Sequence, residues 1–421
     1  MNITLIAGGI FLVTYALIVA ERIPRTISAL LGGLAMILLG VVSQEQAFHA
    51  IDWNVIFLLI GMMVIAGIMR ETGLFQWVAV KAVQLGRGRP LYIFLIFIIV
   101  TAAGSALLDN VTIVILIVPV TLFVASSLKV SPIPFLVAQI FASNIGGMAT
   151  LVGDPPNILI GSAANIDFTT FAANMIPISL IILFFFTVLS LIIFRNDFVT
   201  NEYTQFDIRA LDVSELITDR VLLTKALIVL AGVILGFLIH GLLHLEPATI
   251  ALTGATVLML WGRNDPHHLL REIEWPTLFF FIGLFITVEA IVEVGIISRA
   301  TEAALDLTGG NVSLTAMLLL WLSAILSGIV DNIPYTATVI PLVQNLGQTM
   351  PIMPLWWSLA LGACLGGNLT LVGAAANVVV ASLAENSGYP IRFGLFLRYG
   401  LIITFISLIF ASLYIYLRYL S

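Results

Sequence analysis

The sequence predicts an all-α polytopic membrane protein built from two inverted repeats of five transmembrane helices, each with a re-entrant hairpin and a broken helix. Three observations carry this expectation. Of the 421 residues, 60% are hydrophobic and 10% charged, where soluble domains hold roughly 45–50% and about 25%, so a water-soluble enzyme is excluded. The two halves of the chain match one another at constant spacing. The lysines and arginines collect on one side when the apolar runs are threaded through a bilayer.

The apolar runs 3–20, 178–194 and 401–417 approach or reach the ~20 residues a helix needs to cross a core of about 30 Å, and around ten such runs are present. The first lacks a basic leader and a small-residue cleavage site, so it is expected to stay as a helix. The single cysteine, Cys364, excludes an internal disulfide and a cysteine-built metal cluster. The net charge of −6 decides little, because placement matters more than the sum.

Internal similarity sets the organisation. Asp52-Trp53, Phe57, Ile60-Gly61, Glu71 and Gly73 recur at one constant offset as Glu274-Trp275, Phe279, Ile282-Gly283, Glu293 and Gly295. The same offset carries Asp109-Asn110 and Pro119 onto Asp331-Asn332 and Pro341. An offset shorter by two positions carries Gly146-Gly147, Thr150-Leu151-Val152-Gly153 and Asn157 onto Gly366-Gly367, Thr370-Leu371-Val372-Gly373 and Asn377. The first repeat is expected at 1–200, a cytoplasmic linker at 201–217 within the polar stretch 195–220, and the second repeat at 218–421. In the first repeat the spans are read at 3–20, 27–43, 54–69, 133–160 and 171–194, with the hairpin at 91–127 and the break inside 133–160; the second has its hairpin at 313–349 and broken helix at 354–384.

Five spans per repeat is an odd number, so the second repeat must enter upside down. With both termini outside, 15 lysines and arginines fall inside, from Arg22 and Arg25 to Arg392 and Arg398, and only Arg299 and Arg418 outside. That is the bias the positive-inside rule demands.

No lysine or arginine is expected deep in a span, so the polar chemistry at depth belongs to acids and amides, which are costly there. Asp109-Asn110 ends one apolar arm and starts the next, beside Ser105 and Thr112; Asp331-Asn332 repeats this beside Ser327 and Thr336. Each aspartate could simply cap the second arm, but two at one repeat position favour a ligand or coupling-ion role, with Na⁺ a candidate at Asp109, Asn110, Asp331 and Asn332. The second constellation is Asn144, Gly146, Gly147, Thr150, Gly153, Asp154 and Asn157, where Asp154-Pro155-Pro156 should break the helix and free backbone groups. Its partner, Gly366, Gly367, Asn368, Thr370 and Asn377, lacks the Asp-Pro-Pro. Paired glycines also suit close packing. Packing does not account for the asparagines and Asp154. Glu289 reads as interfacial, His49, His240, His244, His267 and His268 as solvated loop or span-end residues, and Cys364 as packing.

The stretches Leu-Leu-Asp-Asn-Val-Thr (107–112), Ser-Asn-Ile-Gly-Gly (143–147), Thr-Leu-Val-Gly-Asp-Pro-Pro-Asn (150–157) and Val-Asp-Asn-Ile-Pro (330–334) resemble the ion transporter superfamily, in the branch of the arsenite permease ArsB, the sodium/proton antiporter NhaD and the pigmentation P protein. The resemblance covers essentially the whole chain. It implies the elevator-type fold and a substrate among arsenite and antimonite, Na⁺, or carboxylates. The related carboxylate carriers have Ser-Asn-Thr tips where this chain has Asp109-Asn110-Val111 and Asp331-Asn332-Ile333. A carboxylate 4 Å from a bound anion costs about 4 kcal/mol at an effective dielectric of 20, so a dicarboxylate is disfavoured.

The leading expectation is arsenite or antimonite efflux coupled to proton influx. The alternatives are Na⁺/H⁺ exchange and an organic or inorganic anion pathway. No cofactor, nucleic acid or catalytic residue is expected, because the chain shows no nucleotide-binding loop, metal-ligand spacing or nucleophile–base pair. The expected partners are a small inorganic solute or ion, protons and membrane lipid of the cell (inner) membrane. A homodimer and a separate ATPase subunit stay open.

Overall fold

The computed structural model describes residues 3–198, 216–263 and 265–421. Among them are twenty α-helices in two runs of ten. The first run is α1 (Ile3–Ala20), α2 (Arg25–Leu38), α3 (Gln44–His49), α4 (Trp53–Glu71), α5 (Leu74–Leu85), α6 (Pro90–Leu107), α7 (Asn110–Ser127), α8 (Ile133–Gly147), α9 (Pro155–Ala164) and α10 (Phe168–Phe194). The second is α11 (Arg220–Leu243), α12 (Pro247–Gly262), α13 (Pro266–Arg271), α14 (Trp275–Glu293), α15 (Ile296–Thr308), α16 (Val312–Val330), α17 (Asn332–Leu346), α18 (Met353–Gly366), α19 (Ala375–Asn386) and α20 (Phe393–Ile415).

Among the described residues, nine helices are long and apolar enough to cross a membrane: α1, α4, α6, α7, α10, α11, α14, α16 and α20. Three of them, α6, α7 and α16, fall in the stretches expected as hairpins. The run 27–43 folds as the 14-residue α2, and 133–160 splits into α8 and α9. The physical reason is burial: α8 is enclosed from Pro134 to Gly147, and α18 from Pro354 to Gly366, so protein neighbours rather than lipid thickness set their length. α5 and α15 escape a search for long apolar runs, since α15 is amphipathic, with Arg299, Glu302 and Asp306 on the helix.

Two close crossings hold the framework. A Cβ on Gly61 would lie 2.6 Å from the Ala251 carbonyl carbon, and one on Gly283 2.5 Å from that of Ala29, so α4 meets α12, and α14 meets α2, at backbone contact. α6 packs on α8 and α16 on α18, while α7 packs on α19 and α17 on α9 across the halves. On the periphery, Leu180, Phe184 and Ile192 of α10 and Leu401, Phe405 and Leu413 of α20 are exposed, an apolar surface suited to lipid. Most of the expected linker lies outside the described residues. Just past it, the Thr218 hydroxyl donates to the Glu71 carbonyl at 2.6 Å and its amide to that of Thr72 at 3.1 Å.

Candidate functional site

Each Asp-Asn pair sits where two apolar helices meet. Leu108 and Asp109 separate α6 from α7, and Asp331 alone separates α16 from α17. Both aspartates cap the following helix, which the sequence allowed: Asp109 Oδ1 accepts from the Thr112 amide at 2.8 Å, and Asp331 Oδ1 from the Ile333 amide at 3.0 Å. Asp109 also accepts from the Thr112 hydroxyl.

Between α8 and α9, and between α18 and α19, the chain unwinds over 148–154 and 367–374. The same bonds lash each tip to an unwound loop in both halves. Asn110 and Asn332 donate their backbone N–H to Gly153 and Gly373, each at 3.1 Å. Ser105 and Ser327 hydroxyls donate to Ser143 and Ala363 carbonyls at 2.6 and 2.9 Å. Thr150 and Thr370 donate to Ala106 and Gly328 carbonyls at 2.6 and 2.5 Å. Asn157 Nδ2 spans the Gly147 and Thr150 carbonyls at 3.1 and 2.9 Å, and Asn377 Nδ2 those of Gly367 and Thr370 at 2.6 and 2.9 Å. These bonds satisfy carbonyls that unwinding would otherwise strand. The glycines are needed for the approach: a Cβ on Gly146 would lie 2.1 Å from the Ala102 carbonyl oxygen, and one on Gly366 2.4 Å from that of Ala324.

Where the halves meet, the side chains form one polar cluster. Asp154, 1% exposed, accepts from Asn110 Nδ2 at 3.2 Å and from Asn332 Nδ2, whose closer contact is 3.2 Å. Asn110 Nδ2 also reaches Asn144 Oδ1 at 3.2 Å, and Asn144 Nδ2 donates to Asn368 Oδ1 at 3.0 Å and Asn377 Oδ1 at 2.9 Å. Two buried atoms here, Asn110 Oδ1 and Asn368 Nδ2, have no protein partner, and neither has Thr336 Oγ1 on α17. A ligand or water can claim each of them.

Sequence reasoning therefore named the residues that converge, but it misjudged two others. Cys364 is not mere packing: its Sγ lies 3.3 Å from Asn157 Oδ1, the repeat-related counterpart of the Asn144–Asn377 contact. The expectation that no basic residue answers the tip acids is also corrected. Arg25 Nη1 lies 3.1 Å from Asp331 Oδ2. Arg25 opens a short helix rather than lying within a long apolar run, and the fold carries it to a residue 306 positions away. Among the histidines, His240 is held between the Phe168 amide and the Leu245 carbonyl, and His268 pairs with Glu71. Glu289 is half-buried on α14, away from these contacts.

Two cavities lie near opposite ends of α4, a helix ~28 Å long at 1.5 Å per residue. One, of about 480 Å³, is lined by Asn54, Leu151, Ile158, Asp167, His240 and Glu246. The other, of about 50 Å³, is lined by Arg70, Thr112, Glu272 and Glu274.

The family model described as citrate transporter matches residues 15–362. The chain belongs to the citrate transporter family. An uncharacterized transporter of Mycobacterium tuberculosis is 44% identical over 99% of both chains. The P protein of Sus scrofa is 33% identical over 94% of this chain and 57% of that protein. Among solved structures, the YdaH transporter of Alcanivorax borkumensis has a TM-score of 0.60 at 15% identity, covering 99% of this chain and 98% of that one, a likeness of fold alone. This member of the citrate transporter family is thus a multi-pass membrane transporter, and the Asp154 cluster lies where its two halves meet.

Proposed function

We propose that the chain is an ion-gradient-driven carrier that holds its solute and a coupling ion at the Asp154 cluster, with the halves inserted in opposite orientations and both termini outside. One observation carries this reading: Asp154 is a buried carboxylate answered only by neutral donors, the amides of Asn110 and Asn332 and the thiol of Cys364. The ion pairs among the described residues are Arg25–Asp331, Arg70–Glu272 and His268–Glu71, and neither Asp154 nor Asp109 belongs to any of them. A buried, unpaired carboxylate calls for a proton or another cation. The cavities at the two ends of α4 are the approaches from the two faces.

This chemistry favours a small uncharged hydroxide, arsenite or antimonite, exported against protons. Na⁺/H⁺ exchange is the second reading, favoured by the unpaired acceptor Asn110 Oδ1. An anion such as the citrate of the family's description would meet Asp154 at like charge and must arrive with its own cations. Proteoliposomes carrying a lumenal pH dye separate these readings when arsenite, antimonite, Na⁺ or citrate is added in turn. The expected result is a solute-dependent pH change lost in Asp154→Asn; a pH change of wild-type size in that variant would overturn the assignment.

A further inference from the structure

The tips share the Asp-Asn sequence, yet the fold treats their charges differently. Asp331, 7% exposed, faces the Arg25 guanidinium, which also lies 5.7 Å from the Phe280 ring centroid. Next to this pair, the Tyr15 hydroxyl donates to the Pro334 carbonyl at 2.9 Å and bonds the Thr338 hydroxyl. α1 and α2 thus grip the second tip by charge and by hydrogen bond. At the corresponding positions of the second repeat, Tyr15 becomes Phe237, which stacks on Phe168, and Arg25 becomes Pro247, which has no charge to offer. The other charges in electrostatic reach of this corner are Asp154, near both Asp331 and Asp109, Glu21, near Asp331, and Glu274, near both Arg25 and Asp109. The first tip has no ion-pair partner among the described residues, and its Asn110 Oδ1 is a buried acceptor with no donor.

We propose that Arg25 is a built-in counter-ion: it neutralises Asp331 from α2, so the second tip cycles without the coupling cation that the first tip must load, and the carrier is coupled through one tip only. This rests on the carrier reading above, and the carboxylate chemistry explains why an arginine can serve. A guanidinium supplies a permanent positive charge and fixed donors where a mobile cation would otherwise be required.

The test compares wild type with Arg25→Gln, Arg25→Lys and the double variant Arg25→Gln/Asp331→Asn. In proteoliposomes, the reversal potential of flux should show a coupling number one higher in Arg25→Gln, and the wild-type number in the lysine and double variants. An unchanged number in Arg25→Gln overturns the proposal, as does failure of the double variant to recover flux when the single variant is inactive. A second readout needs no transport. The melting temperature of purified protein should rise more in Arg25→Gln than in wild type when choline chloride is replaced by NaCl or the pH is lowered from 7.5 to 5.5, because a vacated site then binds Na⁺ or a proton. Equal rises overturn it. If wild-type vesicles show no coupled flux at all, the carrier reading fails, and the melting comparison still decides the role of Arg25.

Discussion

The tips at Asp109 and Asp331 begin from one sequence motif and end in different electrostatic states. Asp109 is held by the Thr112 amide and hydroxyl on its own helix, in extended backbone at φ −126°. Asp331 stands at φ +90°, caps one residue earlier in the helix, and spends its other oxygen on Arg25. The unwound loops diverge in the same way. Asp154 of the first corresponds to Ala374 of the second, and Asn144 to Cys364. The two halves therefore share the hydrogen bonds that hold the backbone and differ in the side chains that carry charge. Symmetric scaffolding with asymmetric charge leaves a single buried, unpaired carboxylate at the centre.

The largest test of that contrast is Asp154→Asn, which removes the one central charge while keeping its shape. Coupled flux should fall to background with the melting temperature within a few degrees of wild type; retained flux would mean that the two loops are functionally alike. Next come Gly146→Ala and Gly366→Ala. Each forces a methyl against backbone and should cost about 1–3 kcal/mol, read by thermal or denaturant unfolding. Equal losses would confirm that the scaffold is symmetric where the charges are not.

Asp109→Asn and Asp331→Asn sharpen the comparison of the tips. Asp109→Asn should abolish coupled transport in liposomes, whereas Asp331→Asn should lose flux only through the arginine it strands and regain it when Arg25→Gln is added. Asp331→Asn should therefore melt lower than Asp109→Asn by the equivalent of about 1 kcal/mol, since Arg25 is one-third exposed and water offsets part of the loss. The smallest effect is expected at Cys364. Replacement by Ala leaves Asn157 Oδ1 without its thiol donor and should cost about 1 kcal/mol, whereas Ser keeps a donor and should keep flux near wild type. Loss of transport in both would make the thiol a ligand instead.

The legible part of the site was the part written in repeated polar residues. Asp109-Asn110, Asp331-Asn332, Asn157 and Asn377 stand out because apolar runs rarely carry acids and amides, and their recurrence at matching places in the two halves makes chance a poor account of them. Arg25 and Cys364 carried no such signal. One lies at the start of an ordinary helix and the other is a lone small residue in an apolar run, and each matters only through a partner far along the chain, in the other half. The length of α8 was hidden for a related reason: hydropathy reports that a segment avoids water, not whether lipid or protein replaces it.

Composition and internal similarity alone thus determined that this chain is a membrane protein, that its two halves match at constant spacing, and that its acids and amides fall at matching positions. Those conclusions follow from the chain's own local preferences, since burial of apolar side chains and the cost of isolated charge act residue by residue. Tertiary structure alone decided which carboxylates are answered. Asp331 meets Arg25, Asp109 meets its own helix, and Asp154 meets amides and a thiol. Electrostatic pairing depends on separations of a few ångströms between segments far apart in the chain, and only packing sets those separations.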